Sequence, residues 1–419
     1  MKTNQQVNRA AMLMGAAAAV LALGAAASAD EHRGASDNPW PYNKVPRSPV
    51  LALVGDIACQ PGEEPSGEKK GENCSGDTAQ NLLQAQAATA RQIEQMQPDL
   101  VALLGDEQYQ VGGYADFEGS FDLTYGAFKF LHRPSPGNHE FYNEHGAIGV
   151  AGYGYFSYYN GFQHNPDGSV MTTTVTNPLN GTSPDPQPVP LPNGQAGHFE
   201  EVNGGLDGAG VGDGWYSYDL GSWHLISLNI ECETQPGGCS NSGSWFAAEL
   251  EWLRKDLESN HAACTLAYWH QPTFSAANSI AVPEGPTAVA FWQLLYAHGA
   301  DLIVNGHDHL YARYRPLDPS GNFDPRRGIR EFIVGTGGET LDQVVTADTT
   351  SADPSGNRNF NAQNLEAATG QFWGVMGLTL NRNGYAWDFE SALKDPAQPG
   401  GPASYSDKGS GTCHGAPDR

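Results

Sequence analysis

Four apolar runs in this chain each end in side chains that can bind a metal ion. The runs are LALVGD, ending at Asp56; LVALLGD, ending at Asp106; TLAYWH, ending at His270; and LIVNGHDH, ending at His307 and His309. A buried strand gains nothing from carboxylates and imidazoles at its end, whereas open α/β sheets bind ligands beyond the carboxyl ends of their strands. The runs therefore predict one crevice that gathers two carboxylates and three imidazoles.

Segments with helical spacing of apolar residues lie between these runs. The first, SGDTAQNLLQAQAATARQIEQMQP, predicts a helix with Asp77 or Thr78 as its N-cap and Pro98 as its stop. The segments SWFAAELEWLRKDLESN and GPTAVAFWQLLYAHGA predict two further helices. Strands that alternate with helices indicate a layered α/β domain.

The N-terminal residues 1–29 have the layout of a secretory signal peptide. Lys2 and Arg9 precede an apolar run made mostly of Ala, and the small-x-small triplet ASA at 27–29 follows the run. A membrane anchor is the alternative, because the run nears the roughly 18-residue length that spans a bilayer. We predict cleavage and secretion, to the extracellular space or a periplasm, with no membrane span in the mature chain.

The mature chain divides into three parts by composition. A Pro-rich lead covers 30–48, one large domain covers 49–393, and a Gly/Pro/Ser-rich tail that we expect to be irregular covers 394–419. Within the domain, residues 155–214 are dense in Pro, Gly and Asn and are interpreted as a long surface insertion.

Charge and cysteine content limit the partners and the compartment. With 22 Lys and Arg against 47 Asp and Glu, the net charge of −25 repels polyanions, so we expect no nucleic-acid partner. An anionic substrate would need a local positive centre.

An even number of cysteines in an exported chain suggests disulfides. Proximity favours the pairs Cys59–Cys74 and Cys232–Cys239, with Cys264–Cys413 remaining; a zinc site is the alternative, but no spacing resembles a zinc knuckle.

Two further motifs add candidates to the crevice. If the segment after the fourth run is extended, His307 and His309 point to the same side and can reach one centre. The stretch SPGNHEFY places Asn138 and His139 in a turn led by a glycine. Each motif alone would also fit an ordinary turn or surface loop. Their combination at strand ends favours a site.

The ordered motifs GDIA, GDEQY, GNHE, YWH and GHDHLYAR resemble those of the calcineurin-like metallophosphoesterases, and among these the purple acid phosphatases. The resemblance covers about residues 50–390. Many relatives use a histidine two places after the first Asp as a ligand, where this chain has Ala58. Tyr109 stands where the purple phosphatases have a ligating tyrosine. The resemblance implies a four-layer α/β/β/α sandwich of two mixed sheets flanked by helices.

The resemblance also implies a centre of two metal ions. One ion, expected to be Fe(III), would be bound by Asp56, Tyr109 and His309. The other, a divalent Zn, Mn or Fe ion, would be bound by Asn138, His270 and His307. Asp106 would bridge the two, and Asp308 would point away. Phenolate and carboxylate oxygens suit a hard trivalent ion, whereas imidazole and amide suit a borderline divalent one.

The implied function is that of a secreted phosphatase, which hydrolyses small phosphomonoesters by attack of metal-bound hydroxide and releases inorganic phosphate. His139 would contact the phosphoryl group and assist the leaving oxygen. A phosphodiesterase or nucleotidase with the same site is one alternative. A non-catalytic, metal-stabilised binding protein is another. The oligomeric state stays open.

Some features stay outside this assignment. The stretch HQPTFSAANS lacks the further histidines of the plant enzymes. Their substitutes would have to come from elsewhere, and the candidates are His145, His164, His198 and His224. The stretch GTGG at 335–338 predicts a tight turn near the site, with phosphate binding as the weaker interpretation.

Overall fold

The computed structural model of this chain describes residues 48–59, 76–142, 152–173, 176–177, 181–182, 187–201, 210–234, 238–240, 242–277, 285–345, 359–360 and 362–415. The predicted signal peptide and nearly all of the Pro-rich lead lie outside these ranges, as do Cys74 and His145. Among the described residues, no helix combines the length and the apolar character needed to cross a membrane.

Two large sheets form the centre of the fold. Their strands, in chain order, are β1 (Val50–Val54), β2 (Leu100–Leu104), β3 (His132–Ser135), β4 (Tyr216–Leu220), β5 (Trp223–Ser227), β6 (Cys264–Trp269), β7 (Leu302–Asn305), β8 (Tyr311–Leu317), β9 (Ile329–Val334), β10 (Leu365–Thr369), β11 (Phe372–Asn381), β12 (Gly384–Lys394) and β13 (Ser406–Thr412).

Both sheets mix parallel and antiparallel strands. The six-stranded first sheet has the order β13-β12-β11-β1-β2-β3, in which β1, β2 and β3 are parallel. The seven-stranded second sheet has the order β4-β5-β6-β7-β9-β8-β10, in which β5, β6, β7 and β9 are parallel. The parallel strands of each sheet direct their carboxyl ends to one edge.

The apolar runs are continuous because each central strand is buried on both faces. Leu51 and Leu53 of β1 belong to the core between the two sheets, whereas Ala52 and Val54 face the outer helices. In the second sheet, Val304 of β7 faces the inner core and Ile303 faces the opposite side. This alternation fixes the register of each strand, since a slip of one residue would exchange its two faces.

Helices cover the outer face of each sheet and complete four layers. The helices are α1 (Gly76–Met96), α2 (Tyr114–Gly119), α3 (Tyr153–Asn160), α4 (Trp245–Ser259) and α5 (Gly285–Ala297). Residues of α1, α2 and α3 pack with the first sheet, and residues of α4 and α5 pack with the second. The α/β/β/α architecture of two mixed sheets is therefore confirmed. The expected N-cap of α1 is wrong, because the helix begins at Gly76, before Asp77 and Thr78.

The C-terminal tail is not irregular throughout, which corrects the expectation for 394–419. Residues Ser406–Thr412 form β13 and pair antiparallel with β12 along the edge of the first sheet. The side chains of β13 alternate between exposed and half-buried positions. Its composition of Ser, Gly, Asp, Lys and Thr carries no apolar period, so the strand depends on its pairing with β12.

The predicted surface insertion at 155–214 begins inside the core. Helix α3 is buried along its whole length, and Tyr155, Phe156 and Tyr159 pack with the residues beneath the first sheet. The described residues beyond α3 include short strands, among them the three-stranded sheet of Asn193–Gly194, Gly197–Glu201 and Gly210–Gly212. The interpretation of 155–214 as a surface insertion is therefore wrong for the residues of α3, which belong to the core.

Two of the three predicted disulfides are confirmed. Cys232 is bonded to Cys239, and Cys264 is bonded to Cys413. The third predicted pair includes Cys74, which lies outside the described residues. The Cys264–Cys413 bond fastens the start of β6 to the residue that follows β13.

Candidate metal centre

Five loops meet where parallel strands of both sheets end: the loops after β1, β2 and β3 of the first sheet and those after β6 and β7 of the second. They carry the candidate residues Asp56, Asp106, Tyr109, Asn138, His139, His270, His307 and His309. Each of these side chains contacts at least one of the others. The crevice expected from the strand ends therefore exists, and both sheets contribute to it.

One group of polar atoms surrounds the hydroxyl of Tyr109. Its Oη lies 2.8 Å from Asp56 Oδ1, 3.0 Å from Asp106 Oδ2 and 3.0 Å from His309 Nε2. Asp56 Oδ1 and His309 Nε2 are 3.3 Å apart. Three oxygens and one nitrogen thus converge on a single position.

A second group of ligand atoms shares Asp106 with the first. Asp106 Oδ2 is 3.0 Å from His270 Nε2, which is 3.2 Å from His307 Nδ1. His307 Nδ1 is in turn 3.1 Å from Asn138 Oδ1. Asp106, His270 and His307 each offer a ligand atom within 4.8 Å of the others. Asp106 Oδ2 therefore belongs to both groups.

The histidine rings are oriented as they are in metal sites. His270 Nδ1 lies 2.8 Å from Leu104 O, and His309 Nδ1 lies 2.7 Å from Thr340 O. A neutral ring that donates from Nδ1 to a carbonyl presents a lone pair at Nε2. A histidine that binds a metal through Nε2 usually makes this hydrogen bond from its other nitrogen. Here both Nε2 atoms face carboxylate oxygens, which are acceptors as well. Converging lone pairs of this kind require a cation or a proton between them.

The residues present fit two metal ions on these observations. Oxygen donors dominate the first group and imidazole nitrogens dominate the second, so the two positions differ in softness. The second ring nitrogen of His307, Nε2, is buried and has no hydrogen-bond partner among the described residues, so Nδ1 is the atom that this ring directs to its neighbours.

The pKa shifts of Asp106, His270 and Tyr109 show that the centre favours a positive charge beside its buried oxygens. Although burial opposes it, the neighbouring rings of His270 and His139 hold the pKa of Asp106 far below its usual range. Burial likewise opposes the protonated form of His270, but Asp106 raises its pKa to about 10. Burial, with Asp106 and Asp56, raises the pKa of Tyr109 well above its usual value. A phenolate at this position therefore requires a neighbouring cation.

Glu140 orients the loops of the centre, although it is not among the residues predicted from the sequence. Its carboxylate accepts the backbone N–H groups of Asp106 at 2.9 Å, Gly137 at 2.8 Å and Gln108 at 3.2 Å. It thereby holds the loop after β2 against the loop after β3. The sequence could have indicated this role, because Glu140 is the last residue of the GNHE motif.

Gly137 is required at its position by the approach of these two loops. A Cβ atom there would lie 2.3 Å from Asp106 Oδ1 and 2.5 Å from the Asp106 backbone nitrogen. Real Cβ atoms essentially never make such contacts, so any larger residue would move the candidate bridge.

His139 is buried beside the centre, where its ring packs against those of two tyrosines. Its ring centroid is 4.2 Å from that of Tyr109 and 4.8 Å from that of Tyr142. Its Nδ1 lies 2.8 Å from Gln110 O, and its Nε2 lies 3.9 Å from Asp106 Oδ2. The ring thus neighbours both groups of ligand atoms without belonging to either of them.

The segment that carries the last two histidines is not extended, which corrects the expectation for it. His307 has a φ of 68°, and its N–H donates to Asp56 Oδ2 at 2.9 Å. This turn sends His307 to the second group and His309 to the first. Asp308 does point away from the centre, but it is buried and accepts a hydrogen bond from Ser275 Oγ.

Other candidates lie elsewhere. His164 is exposed, His198 pairs with Asp213 at 3.2 Å, and His224 lies between two aspartates of its own. In the GTGG turn, the N–H groups of Gly335 and Gly337 donate to Leu310 O and Gly55 O. Those two groups are therefore not directed at a phosphate, and the turn packs on the loop of Asp56.

Known proteins resemble the chain in this region. A sequence model of the calcineurin-like phosphoesterases matches residues 50–311. Purple acid phosphatase 15 of Arabidopsis thaliana is 30% identical over 26% of this chain and 20% of its own length. An acid phosphatase of Aspergillus ficuum is 26% identical over 29% of this chain and 25% of its own. The chain thus spans a quarter or less of these relatives.

Among solved structures, the purple acid phosphatase PPD1 from yellow lupin (Lupinus luteus) seeds is 16% identical with a TM-score of 0.49, over 87% of this chain and 55% of the lupin chain.

Proposed function

Since the chain belongs to the calcineurin-like phosphoesterase family, we propose that it is a secreted phosphatase that hydrolyses small phosphomonoesters at a centre of two metal ions. The observation that carries this proposal is the position of Asp106 Oδ2, which lies 3.0 Å from Tyr109 Oη and 3.0 Å from His270 Nε2. A carboxylate oxygen shared by two groups of ligand atoms is what a bridge between two ions requires.

The two groups assign the remaining residues to the two ions. Asp56, Tyr109 and His309 would hold an Fe(III) ion. Asn138, His270 and His307 would hold a divalent ion such as Zn, Mn or Fe(II). Two carboxylates and a phenolate contribute three negative charges against five positive ones, so the centre would carry a charge of about +2. That charge is the local attraction that a chain with a net charge of −25 needs to bind a phosphate.

Two bound ions supply Lewis acidity and an activated water for in-line displacement at phosphorus. The protein contributes the geometry. Both carboxylates are held by backbone N–H groups, since His307 donates to Asp56 Oδ2 at 2.9 Å and His139 donates to Asp106 Oδ1 at 2.8 Å. Each carboxylate thus directs its other oxygen to the centre.

His139 is the catalytic residue in this proposal. Its Nδ1 contacts Gln110 O at 2.8 Å, which favours a proton on that nitrogen and leaves Nε2 directed to the centre. In the imidazolium form, in which both ring nitrogens carry a proton, Nε2–H would donate to a phosphoryl oxygen and pass its proton to the leaving alkoxide, which leaves the neutral ring with its proton on Nδ1. The rings of Tyr109 and Tyr142 pack against the imidazole at tilted angles of 47° and 58° and restrict its orientation.

Export is part of the proposal and has separate support. Disulfides persist in oxidising compartments, and the chain forms Cys232–Cys239 and Cys264–Cys413. The N-terminal sequence has the signal-peptide layout described above.

Hydrolysis of nitrophenyl phosphate and of bis-nitrophenyl phosphate by metal-reconstituted protein tests the function. We expect monoester turnover to exceed diester turnover, and Asp106→Asn to reduce it by more than about a hundredfold, since even residues that only orient ligands matter by 10–100-fold. Asp388→Asn is the matched control, because the Asp388 side chain is 50% exposed and pairs with Lys408.

A diester preference would make the chain a phosphodiesterase or nucleotidase. Two bound ions without hydrolysis of either ester would favour the metal-stabilised binding protein. Unchanged turnover in Asp106→Asn would contradict the assignment of the bridge.

A further inference from the structure

Asn138 differs from the other candidate ligands because its side chain has two chemically opposite ends. The carbonyl oxygen can bind a cation, whereas the NH₂ group is a donor and cannot. The two ends have nearly the same shape, so packing alone does not distinguish them. A hydrogen-bond acceptor placed at the NH₂ end therefore supports the orientation in which the oxygen faces the ion.

Both ends of this amide have partners in the structure. Asn138 Oδ1 lies 3.1 Å from His307 Nδ1, in the second group of ligand atoms. Asn138 Nδ2 donates to Tyr142 Oη at 2.9 Å. The hydroxyl of Tyr142 therefore accepts from the end of the amide that must point away from the ion.

Tyr142 is well placed to hold this orientation. It follows the 3₁₀ helix Asn138–Phe141 directly, so the two side chains are four residues apart on one turn. Its ring also packs 4.8 Å from that of His139. One side chain thus contacts both Asn138 and His139.

We propose that Tyr142 is a positioning residue whose hydroxyl, by accepting from Asn138 Nδ2, holds Asn138 Oδ1 toward the second group. The inference rests on the proposed two-ion centre and makes a narrower claim about it. Asn138 belongs only to the second group, so Tyr142 acts on the divalent ion and leaves the ion at Asp56, Tyr109 and His309 unaffected. Without the hydroxyl, the amide loses the hydrogen bond that holds its Nδ2 end away from the second group, and Oδ1 is directed less firmly at the cation.

The test is a Zn²⁺ titration of the full-length chain and of Tyr142→Phe, with metal content measured after dialysis. We expect the variant to keep one ion at wild-type affinity and to bind the other about 10–100-fold more weakly, the usual effect of losing a group that orients a ligand. Tyr114→Phe is the matched control, since it removes a hydroxyl that donates to Glu118 on the surface of α2. It should bind both ions as the wild type does.

A second background separates orientation from a general effect on folding. In Asn138→Asp either end of the side chain presents an oxygen, so adding Tyr142→Phe should cause little further loss of Zn²⁺ affinity. Equal Zn²⁺ binding by wild type and Tyr142→Phe would overturn the inference while leaving the two-ion centre intact. Weakening of both ions would overturn it as well, because the effect would then be general. A wild-type chain that binds fewer than two ions would overturn the inference and the proposed function together.

Discussion

At the scale of single residues, the centre contains backbone conformations that residues other than glycine rarely adopt. Asp56, Asp106 and His307 have φ values of 60°, 49° and 68°. Such left-handed residues cost about 1 kcal/mol or more each and persist where surrounding contacts hold them. The contacts here include the Asp56 N–H to Gly105 O at 3.1 Å and the Ile57 N–H to Asp106 O at 2.9 Å. The left-handed conformation turns the chain sharply after each strand, so that the ligand points into the crevice.

His224 shows a different use of a buried imidazole, away from the metal centre. Its Nδ1 lies 2.9 Å from Asp219 Oδ1, and its Nε2 lies 2.7 Å from Asp256 Oδ2. Burial alone would lower its pKa, but the hydrogen bonds to Asp256 and Asp219 outweigh burial and raise the pKa above the usual value. The protonated ring therefore joins the β4–β5 hairpin to α4.

This raised pKa sets the direction of a pH effect on stability. The contribution of His224 is fully present below the pKa of the unfolded chain, about 6.5, and is lost as the pH rises through the higher pKa of the folded state. We expect His224→Gln to lower the free energy of unfolding more at about pH 5.5 than at about pH 9. Denaturant unfolding at both pH values measures this, with His198→Gln as the control because the His198 side chain also pairs with an aspartate but is 38% exposed. An equal loss at the two pH values would contradict the charged bridge.

At the scale of elements, the sequence predicted strand ends well and the paths of the loops poorly. Runs such as LALV and LVALL are buried on both faces, so local composition reveals them. The turn at His307 was not predictable from the spacing of its histidines, because it depends on the hydrogen bond to Asp56 from a distant strand. Strand β13 was missed for a similar reason, since its backbone pairing with β12 and not its side chains makes it a strand.

The two described disulfides connect elements over very different distances along the chain. Cys264 and Cys413 are 149 residues apart, whereas Cys232 and Cys239 are 7 apart. In the loop-entropy model, the longer loop stabilises the fold by about 5 kcal/mol and the shorter by about 2 kcal/mol. We expect Cys264→Ser with Cys413→Ser to lower the free energy of unfolding by about 2–3 kcal/mol more than Cys232→Ser with Cys239→Ser.

Equilibrium unfolding of the two double variants under identical metal loading makes the comparison. Each variant is the other's control, since both remove one bond and introduce two serines. Equal losses, or a larger loss for the short loop, would show that β13 and the tail are fastened mainly by the β12 pairing.

At the scale of the whole molecule, the centre exists only when the two sheets pack together. The first sheet carries the loops of Asp56, Asp106, Tyr109, Asn138 and His139, and the second carries those of His270, His307 and His309. The core between the sheets includes Leu104 and Val304, near the ends of the strands that lead to the centre. Ions bound across the two sheets would stabilise the folded chain by mass action, since the unfolded chain lacks the site.

In the proposed centre, one carboxylate oxygen, Asp106 Oδ2, would bridge two ions. The most direct test is a crystal structure of the metal-reconstituted chain with anomalous diffraction data collected for the bound metal. We expect two anomalous peaks about 3.5–4 Å apart with Asp106 between them, one beside Tyr109 and one beside His270. A single peak, or two peaks of which only one contacts Asp106, would contradict the proposed bridge.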